Sequence, residues 1–114
     1  MSVALLRRLR GALTDDLRRP RWRGHAHPMA GHCYVASEAL YHMLGGKASG
    51  WKPASVRHED SVHWFLRRDG HVLDLTGDQF EAPPPYAAAR GRGFLTRSPS
   101  KRAAELIRRM EELK

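Results

Sequence analysis

Leucines at positions 5, 6, 9, 13 and 17 recur every three or four residues, with Arg7, Arg8 and Arg18 between them. That spacing predicts an amphipathic helix over residues 3–19, weakened at Gly11 and ended by Pro20. Residues 20–31 mix Pro, Gly and His and read as a loop. Residues 32–44 carry a second helical stripe of Ala36, Ala39, Leu40, Met43 and Leu44. Cys33 extends this stripe by three positions, and Gly45-Gly46 closes it. The pattern then changes to that of strands, at 54–58, 61–67 and 71–76, with Asp69-Gly70 as a two-residue hairpin turn. A loop containing Pro83-Pro84-Pro85, Gly91 and Gly93 leads to a last helix over 98–113. Ser98 is its expected N-cap, Pro99 its first residue, and Ala103, Leu106, Ile107 and Met110 its apolar face. The order α, α, β, β, β, α predicts an α+β fold. N-terminal helices come first, the Cys-bearing helix packs on a small antiparallel sheet, and a C-terminal helix closes the chain.

The chain has 114 residues, which points to one domain over 1–114: a basic helix at 1–19, a core at 31–80 and a second basic helix at 98–113. No run of apolar residues is long enough to span a bilayer, and the N-terminus lacks a signal-peptide core. The expectation is a soluble, cytoplasmic protein with no membrane partner. The net charge of +8 sits at the two ends: +5 over 1–23, +5 over 90–114, and −2 between them. Such ends are usually solvated helix faces, and nucleic acid is a lesser partner class. No strand interleaves basic and aromatic residues as single-strand binders do.

With one cysteine there is no internal disulfide, and in a reducing compartment Cys33 stays a thiol. A helix N-terminus favours a thiolate, and its N–H groups can hold an oxyanion. The plainer reading of Cys33 is a small buried hydrophobe. The Asp69-Gly70 turn adds to the first reading. A two-residue turn pairs residues whose numbers sum to 139, so His63 faces Thr76 and Phe65 faces Asp74. His63 and Asp74 then share one face of the hairpin, diagonal to each other, and the carboxylate can orient the imidazole. A turn of odd length would put Asp74 on the other face. Glu59-Asp60 reads as a turn. Trp22, Trp51 and Trp64 are either core or cleft lining. There is no paired-cysteine knuckle and no His-Glu-x-x-His helix, so no metal and no other cofactor is expected.

Gly31-His32-Cys33-Tyr34-Val35-Ala36, Gly45-Gly46, His63-Trp64, Asp69-Gly70, Asp74-Leu75-Thr76 and Gln79-Phe80 occur in this order. Over residues 31–80 this set resembles the YunG-like family of small bacterial and phage proteins. Gly91 to Leu95 and Ser98 to Arg102 are similar to the tails of small actinobacteriophage proteins, which implies a host cytoplasm as the setting. The YunG-like pattern in turn looks like a reduced papain-like cysteine peptidase fold. That likeness implies Cys33 as nucleophile, His63 as general base and acid, and Asp74 as the residue that orients it. Papain-like enzymes place a Gln before the Cys for the oxyanion hole, whereas Gln79 is the only Gln in this chain. His32, His27, Trp22 or backbone N–H groups are the candidates for that role, with Trp64 as cleft lining. The implied activity is that of a small thiol hydrolase or acyl-transferase acting on an amide, isopeptide or ester bond of a protein or small amide substrate. The alternative is a papain-like scaffold without turnover that binds a host protein, or binds nucleic acid through its basic helices.

Overall fold

The computed structural model describes residues 3–25, 27, 29–59, 61–94 and 97–112. Helix α1 runs Val3–Ala12, α2 runs Cys33–Met43 and α3 runs Lys101–Glu112. Strands β1 (Lys52–His58), β2 (Ser61–Arg68), β3 (His71–Leu73) and β4 (Arg90–Gly91) form one antiparallel sheet in the order β3-β2-β1-β4. The fold is thus α+β, with helices packed on a four-stranded sheet.

The first helix is shorter than its leucine spacing predicts. It ends at Ala12, and Thr14 is extended, with φ −114° and ψ 167°. Tertiary partners hold Thr14 there: its carbonyl accepts from His32 Nε2 at 2.9 Å, and its hydroxyl accepts from Arg109 Nη1 at 2.7 Å. Leu13 and Leu17 are still buried, so the pattern reported burial and not helix continuity. The loop that follows is organised by the buried Arg18, which donates to the carbonyls of Ala30 (2.7 Å), His25 (3.1 Å) and His27 (2.5 Å).

The Asp69-Gly70 turn forms as expected. Both residues have positive φ, 49° and 81°, as a type I′ hairpin requires, and Leu66 pairs with Leu73 in the expected register. The return strand ends at Leu73 and not at residue 76. Asp74 Oδ1 accepts the Thr76 N–H at 3.3 Å, so the chain turns there and Thr76 does not pair with His63. The short β4 on the far edge was not legible, because two residues carry no alternation. Asp60, of the expected Glu59-Asp60 turn, and residue 113, of the expected last helix, lie outside the described residues.

Ser100, not Ser98, caps α3: its Oγ accepts the Ala103 N–H at 3.3 Å. The cap is fixed from outside by Glu38 of α2, a fully buried carboxylate that accepts the Ser100 N–H (2.8 Å) and O–H (2.7 Å). Pairing along the strands gives the sheet two different faces. Leu66 and Leu73 join Leu9, Leu40 and Leu106 in the core shared with the three helices. Ala54, Val56, His63 and Phe65 share the opposite face, which Tyr86 and Ala89 of the long loop cover.

Candidate active site

Cys33 is the first residue of α2. His32 stands at the N-cap without a side-chain cap, so no capping oxygen lies between the positive end of the helix and the thiol. Gly31 makes the entry possible: its φ is +76°, and a Cβ there would come within 2.5 Å of Trp22 Cβ. Cys33 is half-buried and meets β2 at its backbone, the thiol donating to the Val62 carbonyl at 3.7 Å.

His63 is the next residue on β2, and its side chain is fully buried. Its ring lies edge-on to Phe80 at 4.9 Å and parallel to Phe65 at 6.3 Å. Nε2 donates to Asp74 Oδ2 at 2.6 Å. Nδ1 is buried and has no partner aligned for a hydrogen bond. Burial favours the neutral imidazole, but the hydrogen bond to Asp74, the charge of Asp74 and the neighbouring Cys33 sulfur push the His63 pKa up to about 9. Cys33 is therefore near enough to act on the ring, with Nδ1 left for it once Nε2 is committed to Asp74.

Asp74 holds this arrangement from the first turn after β3. Its Oδ2 accepts from His63 and also from Tyr86 Oη at 2.7 Å. Burial and that bond to Asp74 raise the Tyr86 pKa, so the phenol remains a donor. Tyr86 packs edge-on against Phe65 at 5.0 Å. Sequence reasoning missed it; the available signal was a lone aromatic residue directly after three prolines.

Cys33 and His63 open onto one cleft of about 500 Å³ at the end of the sheet where α2 and β2 begin. Trp22, Trp64 and Tyr34 form its apolar wall, and Gln79 and Phe80 line it from the loop after β3. The chain's only Gln thus reaches the cleft from downstream, with one amide hydrogen bonded to the Thr76 carbonyl at 3.0 Å. Of the four expected oxyanion or cleft residues, Trp22 and Trp64 line the cleft and the two histidines do not. His32 is buried against the Thr14 carbonyl, and His27 Nδ1 accepts the Met29 N–H at 3.1 Å. Trp51 belongs to the core, under the Arg68 guanidinium. Among the described residues, no cluster of three His, Cys, Asp or Glu side chains is arranged to hold a metal ion, and no helix is long and apolar enough to cross a membrane.

A family model described as YunG protein matches residues 3–113. No curated protein and no solved structure matches the chain.

Proposed function

This chain belongs to the YunG protein family, and from that premise we propose that it is a small thiol-dependent acyl-group hydrolase or transferase with a papain-like Cys-His-Asp arrangement. The observation that carries this reading is the buried His63 ring, with Nε2 held by Asp74 and Nδ1 left unpartnered beside Cys33 in an open cleft. Buried polar atoms are ordinarily paired, and among the described residues only His42 Nε2 and Thr76 Oγ1 share this lack of a partner.

In this reading the Cys33 thiolate attacks the carbonyl carbon of an amide, isopeptide or ester, forming a C–S bond. The electron pair moves to the carbonyl oxygen. His63, as imidazolium, gives its Nδ1 proton to the leaving nitrogen or oxygen as that bond breaks, leaving a thioester on Cys33. Neutral His63 then takes a proton from water, or from an acceptor nucleophile, which cleaves the thioester and restores the starting state. Asp74 keeps Nε2 protonated throughout, and Tyr86 keeps Asp74 in place. Oxyanion donors are the first-turn N–H groups of α2 and the Gln79 amide, in place of the missing upstream Gln.

The test is the rate of Cys33 alkylation by iodoacetamide between pH 5 and 9. The wild-type protein should react at pH 6.5 at no less than about a third of its pH 8.5 rate, because the imidazolium supports the thiolate. His63→Ala should slow the pH 6.5 reaction by about tenfold or more. A rate that rises only as for a free thiol, and is the same in His63→Ala, would overturn the reading.

A further inference from the structure

The two basic ends of the chain meet at the mouth of this cleft. Arg19 and Arg21 arrive from the loop after α1, and Lys101 and Arg102 from the start of α3. All four line the cleft that Cys33 and His63 open onto, and no Asp or Glu lines it among the described residues. Several arginines elsewhere in the fold have carboxylate partners. Arg10 pairs with Asp78 at 2.7 Å, Arg109 with Asp16 at 2.5 Å, and Arg108 with Glu105 at 2.5 Å. None of the four cleft cations has an acidic partner among the described residues. Arg19 and Arg21 lie instead over aromatic rings, 5.8 Å from the Tyr34 centroid and 5.3 Å from that of Trp22. Stacking of this kind orients a guanidinium while leaving its N–H donors for a ligand.

Four uncompensated cations around a concave, partly apolar site raise the local concentration of anions and hold them by charge-assisted hydrogen bonds. We infer that the substrate of this cleft is an acyl compound carrying a carboxylate or phosphate group, with the acyl carbon at Cys33 and the anion among Arg19, Arg21, Lys101 and Arg102. This substrate class rests on the thiol chemistry proposed above. The aromatic wall of Trp22, Tyr34 and Trp64 would then cover the carbon chain between the two ends.

The experiment compares alkylation of Cys33 by iodoacetate and by iodoacetamide, two reagents of nearly equal size that differ in charge, at pH 7 and low ionic strength. The ratio of the iodoacetate rate to the iodoacetamide rate should fall about threefold to tenfold in the Arg19→Gln/Arg21→Gln variant, the iodoacetamide rate normalising any change in the thiol itself. Arg19→Lys/Arg21→Lys should restore the ratio, and about 0.5 M salt should bring wild type down to the variant. Both arginines are on the surface, so the variants fold. The failure of each reading is separate: the iodoacetamide rate in His63→Ala reports the Cys-His pair, and the charge ratio reports the cations. A ratio that is the same in wild type and the Gln variant overturns the anionic substrate. Added glutarate and inorganic phosphate distinguish the two anion classes, the better mimic slowing iodoacetate more.

Discussion

Asp74 is where most of the site's chemistry is stored, and its carboxylate oxygen Oδ2 serves both His63 and Tyr86. The consequences are measurable. His63 has its pKa raised from 6.5 to about 9. A raised folded-state value means that the imidazolium favours folding, fully below pH 6.5 and progressively less as pH rises to 9. At 1.36 kcal/mol per pKa unit the loss across that window is roughly 3 kcal/mol. Denaturant melts of wild type should show it, and His63→Gln should flatten it; equal slopes in the two proteins would dismiss a charged His63. Tyr86→Phe takes one donor from a buried carboxylate. It should cost about 1–3 kcal/mol and slow the pH 6.5 alkylation of Cys33 without abolishing it. At this scale the sequence was informative about His63 and Asp74, because an Asp in an apolar strand stands out and the Asp69-Gly70 register puts His63 on its face. It was silent about Tyr86, whose approach depends on the path of a loop.

Each element sets its site residues by how it begins or ends. α2 begins at Cys33 because Gly31 accepts a left-handed backbone beside Trp22. β3 stops one residue before Asp74, and the turn that follows has room for the carboxylate only because residue 77 lacks a side chain. A Cβ at Gly77 would lie 2.7 Å from Asp74 Oδ2 and 3.0 Å from Tyr86 Oη. Gly77→Ala should therefore lower the pH 6.5 alkylation rate by about threefold or more, with a stability cost of about 1–3 kcal/mol from the strain. Unchanged reactivity would mean that the Asp74 turn is more pliable than it looks. α3 begins just after Ser100 because Glu38 holds both donors of that capping residue. Glu38→Ala leaves Ser100 uncapped from behind and should cost about 1–3 kcal/mol in a thermal melt, against about 1 kcal/mol for Ser100→Ala, while Cys33 reactivity stays within twofold. The boundaries were the least legible part of the sequence. The expected helix at 3–19 and the Ser98 cap both failed where a distant residue, His32, Arg109 or Glu38, took the deciding backbone or hydroxyl group.

Over the whole molecule, α1 and α3 join α2 around Leu9, Leu40 and Leu106, each at most 1% exposed. Leu106→Ala should destabilise the protein by about 2–5 kcal/mol, read by denaturant unfolding, because the cavity opens where all three helices meet. The same packing redistributes charge. Ends that each read as +5 along the chain become ion pairs on the helices and a cluster of cations at the cleft. The sequence by itself determined the presence of three helices and the β2–β3 hairpin, the Asp69-Gly70 register and hence the shared face of His63 and its acid, since these depend on side-chain period and turn chemistry within a dozen residues. It also marked Cys33 as a helix start. The tertiary structure alone decided that Cys33 reaches His63, that Tyr86 and Gln79 join them, and that Arg19, Arg21, Lys101 and Arg102 ring the cleft. Those contacts join segments whose separation along the chain carries no information about distance in space, and only the packing of the core brings them together.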